Sequence, residues 1–375
     1  MSSPVLLSPF TIRDLTLKNH VVISPMCQYS AVEGVVNDWH LVHLGRFAIG
    51  GAALVFVEAT GVEARGRISP GDVGLWNDDQ ARALARIAEF LKANGSAAGI
   101  QLAHAGRKGS TRRPWDGGAE LTAEDAAKGE PAWETIAPSA IPFADNFPKP
   151  RAMTSADMGE VIVAFREAAR RANDAGFDVV EIHAAHGYLL HEFLSPLSNH
   201  RTDQYGGDLA GRMKFPLEVI ETVRAVWPAR KPLFLRVSAS DHVKGGLTID
   251  DTVEFARAAK VLGVDVVDCS SGGNTPTPPK LRPGYQVPYA EAVRAGAEVA
   301  TMAVGLILNG PLAEEILSGG KADLVALARP ALEDPNFPIH ASAALAGKPD
   351  YHLAPMPARS GLERLAQSLR HMELD

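Results

Sequence analysis

The chain contains very little cysteine. Its only two cysteines, Cys27 and Cys269, are too few for a disulfide framework, a four-cysteine zinc site or a cysteine-ligated iron–sulfur cluster. We expect both to be small, buried and inert thiols unless a motif assigns them a role. Such cysteine usage favours a reducing compartment, and we expect a cytoplasmic protein.

The sequence also lacks long apolar runs and any excess of positive charge. No stretch of about 18 apolar residues occurs, and the N-terminus has no basic start followed by an apolar segment, so neither membrane insertion nor export is expected. Lys and Arg number 37 against 44 Asp and Glu, for a net charge of −7. Without a basic cluster, nucleic acid is not an expected partner.

What the chain does contain is a repeated alternation of apolar segments and helical segments. The apolar runs are nearly continuous, which is typical of parallel strands buried on both faces. Eight such strands are predicted: His20–Pro25, Ala53–Thr60, Ala97–His104, Asp178–Ala185, Leu233–Ser240, Asp265–Ser271, Val299–Gly305 and Asp323–Pro330.

Segments with helical periodicity lie between these strands. They are Trp39–Ile49, Asp78–Asn94, Ser155–Ala175, Ala210–Val226, Ile249–Leu262 and Pro311–Leu317. Ser155 is a candidate N-cap, and Gly176 is placed to end the same helix after Ala175. Eight strand–helix units over residues 20–340 predict an α/β fold, a (β/α)8 or TIM barrel, with the whole chain 1–375 forming one domain.

Two segments do not fit the repeat. Residues 105–151 are rich in Gly, Pro and charge and show no sustained periodicity, which is unusual for a simple barrel loop. We expect a cap over the mouth of the barrel, ordered by Trp115 and Trp133, with a disordered insertion as the alternative. Residues 355–375 form a C-terminal extension, with a helix predicted at Leu362–Met372.

Residues that can donate hydrogen bonds and protons follow the fourth predicted strand. His183, His186 and Tyr188 stand where that strand ends, and strand ends carry the chemistry of parallel barrels. The two imidazoles could donate hydrogen bonds to an oxygen of a ligand, and the tyrosine could act as a general acid. The alternatives are a divalent metal pair, with Glu58 as the notable nearby acid, or a histidine satisfied in the core. We expect His191 to be structural.

The ends of the last three strands indicate a phosphate site. Gly272, Gly273 and Gly305 leave backbone amides accessible, and Arg329 adds a cation, as is common after strands seven and eight of such barrels. Glycines at barrel turns can also reflect backbone freedom alone. No P-loop and no strand-linked GxGxxG is present, which argues against a Rossmann-type dinucleotide domain.

Four motifs together resemble one family. SPMCQYS at 24–30, IQLAHAGRK at 100–108, HAAHGYLLHEFLSPLSNHRTDQYGG at 183–207 and LARP at 327–330 are similar to Old Yellow Enzymes, which are FMN-dependent ene-reductases. The resemblance is to the thermophilic-like bacterial branch that includes xenobiotic reductases. It implies a barrel that holds FMN noncovalently, takes electrons from NADPH or NADH, and reduces a small electron-poor alkene.

The resemblance also implies roles for individual positions. Those that match flavin-lining residues are Ser24, Pro25, Met26, Cys27, Ala59, Gln101, Arg236, Gly272, Gly273, Gly305, Ala328 and Arg329. Those that match substrate residues are Tyr29, His183, His186 and Tyr188, with Tyr188 as the proton donor. In the family, Cys27 matches a cysteine that tunes the flavin potential. Simple packing for Cys27, a structural ion pair for Arg236 and a seal over the barrel for Tyr29 remain alternatives.

The resulting hypothesis is an ene-reductase with ping-pong kinetics, acting on unsaturated carbonyl or nitro compounds. No metal ion is expected. The family habit also implies a homodimer or larger homo-oligomer, in which Arg359 matches an arginine that enters a neighbouring active site. The residues around Arg359 depart from the usual pattern, with Tyr351-His352-Leu353 in place of a tyrosine–tryptophan-rich tail. Another FMN-barrel oxidoreductase and a metal-dependent barrel hydrolase are the alternative functions.

Overall fold

A computed structural model describes residues 4–372 and contains a closed barrel of eight parallel strands. We number the barrel strands β1 to β8 in chain order. They are Val21–Ile23, Leu54–Gly61, Ala97–Ala103, Val179–Ala184, Leu233–Ser238, Val266–Ser270, Ala300–Ala303 and Leu324–Leu327. Each strand pairs with the next along the chain, and β8 closes the barrel against β1. The predicted α/β TIM barrel and its eight strands are confirmed.

Helices surround this barrel. Among residues 4–372 the α-helices are Asp38–Ile49, Asp78–Ala93, Ala123–Ala127, Ser155–Asp174, Leu189–Leu194, Leu209–Val226, Ile249–Val261, Val287–Ala297, Gly310–Ser318, Arg329–Glu333, Phe337–Ala346 and Met356–Met372. The six predicted helices are all present. One detail was wrong: Thr154, not Ser155, is the N-cap, because the Thr154 hydroxyl accepts the Asp157 amide. Gly176, at φ +87°, follows the helix as predicted.

The eighth strand ends earlier than predicted. The prediction extended it to Pro330, but it stops at Leu327 and a short helix begins at Arg329. Proline suits the first turn of a helix, since the amide it lacks has no intrahelical acceptor there. Arg329 is therefore the first residue of the helix that follows β8, and it is not part of that strand.

The amino-terminal end of the barrel is closed by apolar side chains. Residues from seven barrel strands and the adjoining segments form one buried cluster that extends from this end into the barrel interior: Val22, Ala53, Leu54, Phe56, Val179, Phe234, Val266, Met302, Val304, Leu324 and Ala326. The hairpin of Phe10–Ile12 and Leu15–Leu17 lies against this cluster and contributes Ile12 and Leu17 to it. This end of the barrel is therefore a packed core.

The 105–151 segment is ordered and reaches across the other end. Arg107 donates to the backbone oxygen of Asn274 at 2.7 Å, which ties the segment to the loop after β6. Two short strands, Ile136–Ala137 and Arg151–Ala152, pair with each other. Trp133 donates from its indole nitrogen to the Arg65 oxygen at 3.0 Å. Trp115, in contrast, is largely exposed.

The C-terminal extension forms a longer helix than predicted. It runs over Met356–Met372 instead of starting at Leu362, and its inner side packs near a small apolar cluster that includes Ile339 and Leu353. Between residues 4 and 372, no helix combines the length and the apolar composition needed to cross a membrane.

Candidate active site

The barrel brings most of the predicted site residues to the carboxyl ends of its strands. Ser24 follows β1, Ala59 lies near the end of β2, and His183 lies near the end of β4. Arg236 is in β5, paired in register with His183. Positions more than 200 residues apart in sequence thus meet at one mouth, where enzymes of this architecture place their chemistry.

The two histidines and the tyrosine after β4 form one compact group. The ring centroids of His183 and His186 are 5.1 Å apart, and the His183 and Tyr188 centroids are also 5.1 Å apart. His183 is almost fully buried, and its Nδ1 atom has no hydrogen-bond partner within the described part of the chain. A buried polar atom without a partner is costly, and at a barrel mouth it is available to a ligand.

The surroundings keep all three side chains neutral. Burial lowers the pKa of His183 and His186 well below the usual value, and the positive charge of Arg236 lowers it further. Burial and the nearby Cys27 raise the pKa of Tyr188 well above its usual value. Near neutral pH the site therefore offers two neutral imidazoles and a protonated phenol.

Lys108 is a site residue that the sequence reasoning missed. Its Nζ atom donates to the His186 oxygen at 2.9 Å and to the Gly273 oxygen at 3.0 Å. The same ammonium group lies 5.2 Å from the centre of the Tyr188 ring. Burial lowers the pKa of Lys108 to about 8. Its place in the IQLAHAGRK motif was the available signal, but no role was assigned to it.

Arg236 links three strands at the floor of the mouth. It donates to the hydroxyl oxygen of Ser24 at 3.0 Å and to that of Ser270 at 3.0 Å. Its Nε atom lies 3.1 Å from the Asp268 carboxylate. The structural ion pair considered for Arg236 is thus present, and the same side chain also faces the cavity described next.

A cavity of about 210 Å³ opens beside these residues. It is lined by His186, Arg236, Ser270, Ser271, Tyr285, Gln286, Val304, Gly305, Leu306, Ile307, Ala326, Leu327, Ala328, Arg329 and Pro330. Among the predicted cofactor residues, Arg236, Gly305, Ala328 and Arg329 are in this lining. Ser270, Ser271 and Gln286 are additional polar groups that sequence reasoning did not select.

Gly305 has a clear reason to be glycine at this cavity. Its φ of +118° is rarely adopted by other residues, and an added Cβ would meet the Gln286 side chain at 3.0 Å. The backbone amide at this turn therefore stays accessible, and Arg329 supplies a cation to the same space. A phosphate group matches this combination of backbone donors and guanidinium.

Gly272 and Gly273 are not among the residues that line this cavity. An added Cβ on Gly273 would come within 2.7 Å of the His186 Cα atom, so glycine permits close packing between the loops after β4 and β6. The Gly273 oxygen also accepts a hydrogen bond from Lys108. In the structure these glycines contact other loops, and their predicted contact with a phosphate stays a prediction.

The SPMCQYS segment is held by a buried carboxylate. The Gln28 amide donates to Glu58 at 3.0 Å, and Glu58 lies 3.8 Å from His40. Burial raises the pKa of Cys27 well above its usual value, with further contributions from Glu58 and Asp72. Cys27 is therefore a neutral thiol.

The structure also shows the surroundings of Gln101 and Tyr29, whose predicted contacts with flavin and substrate stay predictions. The Nε2 atom of Gln101 donates a hydrogen bond to the Glu181 carboxylate at 2.8 Å inside the barrel. The Tyr29 ring meets the Trp115 ring edge-on, with ring centroids 5.7 Å apart, so the cap segment covers this tyrosine.

Arg359 lies in the C-terminal helix, where its guanidinium is 2.6 Å from His352 of the same chain. Over residues 4–372, no group of three or more His, Cys, Asp and Glu side chains could hold a metal ion.

Comparison with known proteins adds a family to this geometry. The model of the NADH:flavin oxidoreductase / NADH oxidase family matches residues 5–347. An NADPH dehydrogenase of Geobacillus sp. (strain WCH70) is 49% identical over 343 residues, which cover 91% of this chain and 94% of that protein. The Bacillus subtilis (strain 168) NADPH dehydrogenase is 47% identical over 334 residues, covering 88% and 92%.

Solved structures agree on the fold. Morphinone reductase matches with a TM-score of 0.76 at 24% identity, covering 92% of this chain and 91% of its own. The old yellow enzyme homologue from Zymomonas mobilis matches with a TM-score of 0.73 at 24% identity, covering 89% and 91%. At these identities the likeness establishes a shared barrel.

Proposed function

Because this chain belongs to the NADH:flavin oxidoreductase / NADH oxidase family, the family of Old Yellow Enzymes, we propose that it is an NADPH dehydrogenase that reduces electron-poor alkenes. Its cofactor is FMN, and NADPH or NADH supplies the electrons. The proposed second substrate is an α,β-unsaturated carbonyl or nitro compound. The observation that carries the proposal is the neutral His183, His186 and Tyr188 group beside the cavity.

The residues of the cavity fit FMN. Arg329 and the open backbone at Gly305 would hold the phosphate, and Ser270 and Ser271 would contact the ribityl chain. Arg236, next to Ser24, would stabilise negative charge on the ring. Bound FMN would supply the redox chemistry, namely transfer of a hydride from the nicotinamide to the alkene.

The histidine pair would bind and polarise the alkene substrate. Each neutral imidazole carries one N–H group, and two such donors can share one carbonyl or nitro oxygen. Their hydrogen bonds strengthen as negative charge develops on that oxygen in the transition state. Because His183 and His186 stay uncharged, they can stabilise the charge without losing a proton to it.

Tyr188 would supply the proton that completes the reduction. Its raised pKa keeps the hydroxyl protonated until a strongly basic carbon forms next to it. The Lys108 ammonium, 5.2 Å from the ring, would stabilise the phenolate that remains. Because the Tyr188 hydroxyl does not ionise near neutral pH, it can donate its proton throughout that range.

The nicotinamide and the alkene would use the same site in turn. A flavin face in this mouth can stack only one partner, so we expect ping-pong kinetics with parallel initial-rate lines. Lines that intersect would contradict a shared site.

Replacing Tyr188 with phenylalanine tests the assignment of the proton donor. Reduction of the flavin by NADPH should stay within about threefold of wild type, while reoxidation by 2-cyclohexen-1-one should slow by about 10² to 10⁴. Tyr205→Phe is a matched control, because Tyr205 is partly exposed and its hydroxyl contacts Glu218 on the helix Leu209–Val226. Equal slowing of both half-reactions by Tyr188→Phe would show that the tyrosine does not donate the proton.

The remaining expectations are also part of the proposal. We expect one 1–375 domain, a homo-oligomer and a cytoplasmic protein. Light scattering after size-exclusion chromatography would measure the oligomeric state, and a monomer at micromolar concentration would contradict that expectation.

A further inference from the structure

The turn between β4 and the helix Leu189–Leu194 has an unusual backbone. His186 has φ +59° and Gly187 has φ +72°, both in the left-handed region. An added Cβ on Gly187 would meet the Gly273 oxygen at 2.2 Å, so only glycine fits there. A non-glycine residue such as His186 is strained in this region by about 1–2 kcal/mol, so the turn must be held by other contacts.

Three side chains hold the backbone of this turn. The His186 amide donates to the Ser238 hydroxyl oxygen at 2.9 Å, and the His186 oxygen accepts from Lys108 at 2.9 Å. The Gly187 amide donates to the Nδ1 atom of His191 at 2.9 Å. Side chains therefore bind the His186 amide, the His186 oxygen and the Gly187 amide. The last two groups belong to the peptide that joins His186 to Gly187.

His191 is itself fixed by a buried carboxylate. It has no exposed surface, and its Nε2 atom lies 3.1 Å from Asp241. The other oxygen of Asp241 accepts from the Ser195 hydroxyl at 2.6 Å and from the Leu247 amide at 2.8 Å. Burial alone would raise the pKa of Asp241, but the adjacent His191 ring and the hydrogen bonds from Ser195 and Leu247 lower it to about 2.

These contacts determine which nitrogen of His191 carries the proton. The Nδ1 atom accepts a hydrogen bond from the Gly187 amide, so Nδ1 carries no proton. The ring proton is therefore on Nε2, which faces Asp241. The His191 ring thus provides a fixed hydrogen-bond acceptor for the backbone amide of Gly187, which lies between His186 and Tyr188.

We propose that His191, oriented by Asp241, is a positioning residue that sets the geometry of His186 and Tyr188. The inference rests on the proposed function, because it concerns the same site. His191 is absent from the cavity lining, so it would act only through the turn. A histidine that fills the core alone could be replaced by an aromatic ring of similar size without effect on ligand binding.

Two replacements of His191 separate these roles. His191→Phe keeps a planar ring but removes the acceptor, and we pair it with Asp241→Asn so that no buried charge is left without a partner. His191→Asn keeps an acceptor, since its Oδ1 atom occupies the place of Nδ1. Asp241→Asn alone controls for loss of the carboxylate.

The measurement is the dissociation constant of phenol, read from the absorption change of the bound flavin. We expect His191→Phe/Asp241→Asn to bind phenol about tenfold more weakly, or ~1.4 kcal/mol. His191→Asn should stay within about threefold of wild type. The FMN content and the melting temperature of each variant are recorded, so only folded, FMN-loaded protein is compared. Unchanged phenol affinity in a folded His191→Phe/Asp241→Asn protein would overturn the proposal.

A second readout does not depend on ligand binding. Nitrogen-15 spectra of histidine-labelled wild-type protein report which ring nitrogen of His191 is protonated, and His191→Asn assigns its signal. We expect protonated Nε2 and unprotonated Nδ1. Protonated Nδ1 would overturn the positioning role even in an active enzyme. If wild type binds FMN but neither phenol nor an alkene, the proposed function fails, while the nitrogen spectrum still decides whether His191 holds the turn.

Discussion

The two ends of the barrel are built by the same strands and differ in almost every physical property. The amino-terminal end is closed by apolar side chains such as Phe56 and Phe234, whose ring centroids are 5.9 Å apart. The carboxyl end carries histidines, carboxylates and arginine, most of them buried. One end contributes stability through packing, and the other keeps polar groups available at some cost in stability.

Most of the non-glycine residues with positive φ lie at the carboxyl end, although Arg13 and Glu298 lie at the other end. Tyr29, His186 and Leu306 have positive φ, and all three lie in loops at the carboxyl end. His183 has a buried nitrogen without a partner there. Strained backbone and unsatisfied groups concentrate where a ligand can compensate for them, which is typical of functional sites. Substitutions at the two ends should therefore change different measured quantities.

The largest effect is expected at the apolar end. Phe56→Ala removes a fully buried ring and should lower the free energy of unfolding by about 3–5 kcal/mol, measured by urea denaturation of the FMN-loaded protein. The flavin spectrum of the folded fraction should not change. Val42→Ala, at an exposed position, is the control and should stay within about 0.5 kcal/mol. An equally small effect of Phe56→Ala would show that this end is not the main source of stability.

Removing both histidines should affect binding instead. The double variant His183→Ala, His186→Ala should weaken phenol binding at least about a hundredfold, or ~2.7 kcal/mol, because both donors to the ligand oxygen are lost. FMN should remain bound, as judged by the protein-bound flavin after gel filtration. Loss of FMN from the double variant would mean that the pair is structural.

Arg329→Ala should weaken FMN binding by about ten- to a hundredfold, since a charge-assisted hydrogen bond to phosphate contributes about 1.5–3 kcal/mol. Titration of apoprotein with FMN, followed by flavin fluorescence, measures this change. Arg170→Ala, on an exposed helix surface, is the matched control. Equal FMN affinity in the two variants would place the phosphate elsewhere.

The smallest effect is a difference in pH dependence. Because the pKa values of His183 and His186 are lowered in the folded protein, the unfolded chain binds more protons near pH 6, and stability falls as the pH drops through about 6.5. Between pH 7 and pH 6, His183 and His186 together should lower the free energy of unfolding by about 1 kcal/mol. A His183→Gln, His186→Gln variant should lose less stability over this interval, measured by denaturation at each pH. An identical pH dependence would mean that the histidines are not held neutral.

The barrel could be predicted because burial on both faces makes its strands nearly continuous in apolar residues. The helix Phe337–Ala346 was missed, since it is rich in apolar and small residues and lacks a polar face that would show helical periodicity. Arg329 was assigned to the end of a strand, but proline at the next position starts a helix.

For the site, the sequence identifies residues at strand ends but not the directions they face. Lys108 and Gly273 are 165 positions apart, and only the packing of their loops brings them into contact. Gly273 was predicted at a phosphate, yet its close neighbour is the His186 backbone. The role of His191 depends on which nitrogen faces the Gly187 amide, which is a property of the folded turn.

The most direct test of the account is the visible absorption spectrum of the purified protein during two anaerobic additions. We expect a flavin spectrum that bleaches when NADPH is added and returns when 2-cyclohexen-1-one follows. A colourless protein that cannot be reconstituted with FMN, or a reduced flavin that the enone does not reoxidise, would contradict the proposed function.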